Sequence, residues 1–174
     1  MAPHLAFGTP CLLADGSAPA PQGVEGFGRC LLHAIRRLFA EGHTAACVLS
    51  SDAPTLPTEI LVTAAMTLLA GDDRRVVLGA CDDGGYYLLG MRLPHAGLFA
   101  DIAWSTSSVA ATTRTRAAAL GLDLVELPAW YDVDDATALV RLVRGTAQGS
   151  SAPWTRRAIE ALGLSALALS SRAA

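Results

Sequence analysis

The sequence contains no lysine: all thirteen of its Lys+Arg positions are arginine. Without a side-chain amine there is no Schiff-base nucleophile and no P-loop lysine to reach a nucleotide's phosphates. Positive charge is also outnumbered, thirteen cations against sixteen acidic residues, for a formal net charge of −3. Such a chain has no field with which to grip a nucleic-acid backbone or an anionic bilayer, and neither is an expected partner. The GxGxxG, GxSxG, HExxH and EF-hand patterns are all missing, which removes the common dehydrogenase, hydrolase, zincin and calcium readings. Cys11, Cys30, Cys47 and Cys81 form no CxxC pair and have no histidine cluster near them, so neither a zinc site nor a redox motif is indicated. Reduced, buried thiols in a cytoplasmic protein are the expected state. The longest uncharged apolar run, residues 60–71, is too short to span a bilayer. Residues 1–20 lack a basic start and are interrupted by Gly8, Pro10 and Asp15, which argues against a signal peptide.

What is present is a chain of 174 residues, 52% hydrophobic and 17% charged, enough to bury the core of one domain. Alanine takes 33 positions and aromatics only 6%, so the core is expected to be filled with small side chains. Residues 5–13 read as one irregular strand, followed by a Gly-, Pro- and Ala-rich loop. Val24, Phe27, Leu31, Ala34, Ile35 and Leu38 recur at helical spacing, with Gly42 as a stop. Residues 45–49 read as a strand, 58–70 as a helix, and 75–80 and 86–91 as strands. A helix follows to Leu120, led in by Ser105 to Ser108; then come a strand over 122–127 and a helix from Ala136 capped by Asp134 or Asp135. This alternation predicts an α/β domain over residues 1–147, a mostly parallel sheet with helices on both faces. Residues 148–174 add a C-terminal helix and a fraying tail.

In an open parallel sheet, ligands bind beyond the carboxyl ends of the strands, where three acidic groups stand: Asp52, the Asp82/Asp83 pair, and Asp132/Asp134/Asp135. Carboxylates gathered there can hold Mg²⁺ or Mn²⁺, hard cations that share oxygen ligands with substrate phosphates. Each has a plainer reading. Asp52 before Pro54 suits a turn, Asp134 or Asp135 suits a helix cap, and Asp82-Asp83-Gly84-Gly85 suits a hairpin. Asp132 lies outside the cap. The two glycines would also let a sugar or nucleotide approach the backbone, with Asp83 bonding a hydroxyl or acting as base. Trp104-Ser105-Thr106, ahead of a helix, offers an indole for stacking and hydroxyls near an anion-favouring helix start; a half-buried Trp beside capping hydroxyls is the alternative. At most one of Arg114 and Arg116 can face such a site.

Ser51-Asp52-Ala53-Pro54-Thr55-Leu56-Pro57, Asp83-Gly84-Gly85-Tyr86-Tyr87-Leu88-Leu89-Gly90, Ile102-Ala103-Trp104-Ser105-Thr106 and Asp132-Val133-Asp134 occur in that order. In order and spacing the chain resembles the GT-A-like nucleotide-diphospho-sugar transferases, in the group labelled glycosyltransferase or radical-SAM/selenodomain-associated transferase. The likeness runs from about Pro21 to Leu142. It implies a metal and diphosphate site at Asp52, Asp132 and Asp134, with Asp83 and Asp132 as catalytic carboxylates. Gly84, Gly85, Tyr86, Trp104, Ser105 and Thr106 would form the substrate side. It also implies a first strand and a basic nucleotide loop ahead of the matched motifs, which this sequence is expected to lack, as in a truncated member.

The expected activity is therefore a metal-dependent glycosyl or nucleotidyl transfer, with Mg²⁺ or Mn²⁺ as cofactor and a nucleotide-linked small molecule as substrate. The alternatives are a non-catalytic or repurposed GT-A-like domain that serves as a binding or assembly partner in a biosynthetic pathway, and a different small-molecule reaction on the same fold. A sheet short of its first strand would leave an edge to be covered by a homodimer or protein partner.

Overall fold

The computed structural model describes residues 26–149 and 152–168. The irregular strand and loop of the opening, Cys11, the expectation about a first strand and nucleotide loop, and the end of the tail concern residues outside these. The described elements run α1 (Phe27–Ala40), β1 (Ala46–Leu49), α2 (Thr58–Ala70), β2 (Arg75–Ala80), β3 (Tyr86–Met91), α3 (Val109–Ala119), β4 (Asp123–Glu126), α4 (Ala136–Ala147) and α5 (Pro153–Ala161). Short 3₁₀ turns lie at Ala96–Leu98 and Leu164–Ala168.

The sheet is mixed, not mostly parallel. Its order is β1-β3-β2-β4, with β3 antiparallel to both neighbours and only β2 and β4 paired in parallel. The cause is local: the Asp82-Asp83-Gly84-Gly85 turn closes a tight β2–β3 hairpin, and the returning strand inserts between β1 and β2 instead of adding at an edge. So short a reversal, from Ala80 to Tyr86, leaves no room for the crossover helix that parallel pairing needs. β1, β2 and β4 nevertheless run in one direction, so their carboxyl ends share one edge.

Helices do cover both faces. Leu32 and Ile35 of α1 and Ala117 of α3 pack with Val76, Leu78, Leu89 and Met91 on one side. Ile60, Ala64 and Leu68 of α2 pack with Val77, Tyr87 and Leu88 on the other. Val76, Val77 and Leu78 are fully buried, each contributing about 1.5–3 kcal/mol of transfer free energy. A bulge sets Tyr86 and Tyr87 against Ala80, so Tyr86 packs toward α1 while Tyr87 points into the α2 layer. There the Tyr87 hydroxyl donates to the Pro128 carbonyl at 2.8 Å. Pro153 opens α5, and Leu142, Val143 and Ile159 join α4 to α5 in a separate small cluster.

Candidate functional site

At the shared carboxyl edge, each of the three co-directional strands delivers an acidic side chain. The loop after β1 carries Asp52, the hairpin after β2 carries Asp82 and Asp83, and the segment after β4 carries Asp132 and Asp134. The Val133 N–H donates to the Asp52 carbonyl at 2.9 Å, which joins the first loop to the last. The Tyr131 and Thr55 hydroxyls reinforce this at 3.0 Å, and the Trp130 indole N–H donates to Thr55 Oγ1 at 3.4 Å.

The paired aspartates of the hairpin have different fates. Asp82 turns outward to an ion pair with Arg141 at 2.8 Å, and that guanidinium lies 3.9 Å from the centre of the Tyr131 ring. Asp83 turns inward: its Oδ1 accepts the Gly85 N–H at 2.8 Å, leaving the second oxygen available. Gly84 has φ +94, and a Cβ there would run into the Ser107 carbonyl. Its own carbonyl accepts the Ala110 N–H at 2.9 Å. The hairpin thus abuts the start of α3, and at least this glycine is required by the chain's own packing.

Cys81, Asp83 and Asp132 bring one potential ligand atom each to within 4.8 Å of one another. Asp52 and Asp134 lie outside that trio yet close enough to act on it electrostatically. Burial pushes the Cys81 thiol far above its ordinary range, and Asp132, Asp83 and Asp52 add to the effect. Asp134 is exposed; what burial it has, followed by Asp132, Asp52, Asp83 and Asp135, raises its carboxyl above the usual range. Asp135 is the helix cap, accepting the Ala138 N–H at 2.7 Å, which leaves Asp134 facing the other acids. Among the described residues, no ion pair reaches Asp52, Asp83, Asp132 or Asp134; the pairing arginines go to Asp72, Asp82, Asp101, Asp123, Glu41 and Glu126. Arg114 and Arg116 are among these, held by Glu126 and Asp101. Four like charges gathered without a cation suit a divalent metal with oxygen ligands, and the exposure of Asp52 and Asp83 leaves room for substrate oxygens.

A pH dependence follows. Because Asp134 binds its proton more tightly in the folded chain, its stabilising contribution is complete below the unfolded carboxylate range and is lost as pH rises through the folded value. In metal-free buffer, Asp134→Asn should melt higher than the parent by a margin that widens from pH 4 to 7. Melting curves across that range would expose a margin that stays flat.

On the expected substrate side, Trp104 is half-buried. Its ring meets Phe27 edge-on at 5.0 Å and Tyr86 at 6.3 Å between centroids, and Gly28 admits it, since a Cβ there would lie 2.9 Å from the indole. Tyr86 has a buried hydroxyl without a hydrogen-bond partner among the described residues, and burial raises its pKa. Ser105 is exposed with φ 59. The Thr106 hydroxyl donates to the Ala103 carbonyl at 2.7 Å and meets Ser108 Oγ at 2.7 Å, so neither hydroxyl caps α3. The sequence reading missed Cys81 and the Thr55–Trp130–Tyr131–Arg141 brace. The position of Cys81 directly after a strand and before two aspartates was the available signal.

A family model described as "Uncharacterized protein conserved in bacteria (DUF2064)" matches residues 3–106, more than half of the chain. Among solved structures, one described as a "putative nucleotide-diphospho-sugar transferase" from Desulfovibrio desulfuricans G20 superposes with a TM-score of 0.66 at 30% identity. The match covers 80% of this chain and 62% of the other, so the chain spans less than two thirds of that protein's length. No curated protein matches. No helix among the described residues is long and apolar enough to cross a membrane.

Proposed function

The chain belongs to the DUF2064 family and shares its fold with a nucleotide-diphospho-sugar transferase-like protein, and on that premise we propose that it is a metal-dependent transferase acting on a nucleotide-diphosphate donor. The observation that carries this reading is the convergence of Asp52, Asp83, Asp132 and Asp134 at one sheet edge with no ion-paired cation among the described residues. In the same reading the chain is a member of the radical-SAM/selenodomain-associated group, supported by its Asp83-Gly84-Gly85-Tyr86-Tyr87-Leu88-Leu89-Gly90 run.

Asp132 and Asp83, with Asp52 and Asp134 at the border, would hold Mg²⁺ or Mn²⁺. When bound, such an ion neutralises the charge that develops on a diphosphate leaving group. The Gly85 N–H fixes one oxygen of Asp83, and the other either ligates the ion or, where Asp132, Asp52 and Asp134 hold it, takes the proton of an acceptor hydroxyl. The Asp52 loop is held in place by the Val133 N–H and by the Thr55–Tyr131 hydroxyl bond, so the donor end of the site is preorganised by one backbone and one side-chain contact. Ser105 and the rim of Trp104 lie on the acceptor side.

Thermal-shift measurements against UDP-, GDP-, CDP- and TDP-linked sugars and nucleoside triphosphates, with and without Mn²⁺, test the reading. Ligand at about a hundred times its dissociation constant stabilises the fold by about 2.7 kcal/mol. A metal-dependent shift that Asp52→Asn abolishes is the expected result. No shift with any donor would favour a non-catalytic binding domain instead.

A further inference from the structure

The reading above uses only oxygen ligands, yet the three atoms nearest to a common point include a sulfur. Cys81 follows the last residue of β2, where its N–H donates to the Gly85 carbonyl at 3.0 Å and its neighbour Asp82 donates from N–H to the Trp130 carbonyl at 2.9 Å. These two backbone bonds hold Cys81 between the hairpin and the β4 extension. Its side chain is 6% exposed and faces Asp132 and Asp83. Among the described residues the sulfur has no partner outside the carboxylates. The other described thiols are elsewhere, Cys30 on α1 and Cys47 on β1.

We propose that Cys81 Sγ, Asp83 and Asp132 form a mixed sulfur–oxygen site that takes a thiophilic divalent cation of the Zn²⁺ class, in addition to the hard cation an all-carboxylate site would accept. The inference rests on the reading of this edge as a divalent-cation site. Its physical basis is ligand softness: a thiolate discriminates strongly for Zn²⁺, Co²⁺ or Cd²⁺ over Mg²⁺, whereas carboxylates favour the hard ions. On binding, the S–H bond breaks, its proton passes to solvent and an S–metal bond forms; no oxidant or reductant is involved. With Mg²⁺ the thiol keeps its proton and the ion relies on carboxylates and water. One set of side chains thereby offers two coordination modes, and the metal supplied decides between them.

The test uses the full chain, metal-stripped and under reducing conditions, titrated with Co²⁺, Zn²⁺ and, separately, Mn²⁺. One equivalent of Co²⁺ should raise a thiolate-to-cobalt charge-transfer band in the near ultraviolet, and Zn²⁺ should displace it. X-ray absorption of the zinc-loaded parent should show one sulfur at about 2.3 Å among lighter ligands, a measurement that needs no variant. Cys81→Ser and Cys81→Ala should lose the band and weaken Zn²⁺ binding by about 10- to 100-fold or more, while Mn²⁺ binding followed by electron paramagnetic resonance persists. Mn²⁺ binding with no sulfur band in the parent would overturn the sulfur ligand and leave the oxygen site standing. A band that survives in both variants would assign it to another thiol and overturn the proposal as well. Failure of all three ions to bind would overturn this inference together with the reading it rests on.

Discussion

Replacing Asp132 by Asn should weaken Mn²⁺ binding on the order of 100-fold without lowering the melting temperature of the metal-free protein. The two effects separate because the residue's charge and its packing do different things. Asp132 belongs to the trio whose ligand atoms lie within 4.8 Å of one another, and its charge acts on both Cys81 and Asp134. Its carboxylate has no ion-pair partner among the described residues, so the neutral isostere leaves no arginine unpaired and relieves repulsion instead. Calorimetric titration with Mn²⁺ and a melting curve on the same sample would test both halves. Unchanged affinity would remove Asp132 from the metal site, and a sharply lower melting temperature would make it a structural residue.

Gly84→Ala should be the most damaging small substitution at the site, costing about 3 kcal/mol and lowering the melting temperature by roughly 6–12 °C. Two costs add at this position. The backbone sits at φ +94, where an L side chain is strained, and the new methyl would strike the Ser107 carbonyl, which is backbone and cannot rotate away. Gly42→Ala is the control, since Gly42 has φ +93 but nothing within 4 Å of the added carbon. It should show the strain alone, about 1 kcal/mol. Equal losses in the two variants would mean that the hairpin yields to the collision. Because the same turn aims Asp83, Gly84→Ala should also weaken Mn²⁺ binding, whereas Gly42→Ala should not.

Much of the local structure was legible. α2, β2 and β3 occupy the segments their patterns predicted, because apolar spacing and bounding Gly, Pro and Asp residues act within a few positions. α1 starts at Phe27, and Leu31, Ile35 and Leu38 of the expected stripe do pack on the core, but Gly28 and Leu32 join them and Phe27 is exposed. At the start of the helix Trp104, from a loop far along the chain, packs over Gly28 and against the edge of Phe27. The Asp82-Asp83-Gly84-Gly85 turn is recognisable as a hairpin, and a hairpin at that point makes β3 antiparallel to β2 wherever it lies in the sheet, which the helix–strand alternation alone does not reveal.

The site divides in the same way. Composition was enough to show that the chain has no lysine amine, and motif order to mark Asp52, the Asp82/Asp83 pair and Asp132/Asp134/Asp135 as the acids beyond strand ends. These are properties of residue type and short-range pattern, and no packing alters them. Which of those acids meet one another was decided by the insertion of β3 and by loops separated by tens of residues, since only the strand order brings the ends of β1, β2 and β4 to one edge. The same long-range placement turned Asp82 away to Arg141, gave the cap to Asp135, and set the Cys81 sulfur among the carboxylates. A side chain's partners across a sheet edge depend on the path of the whole chain, which no local spacing records.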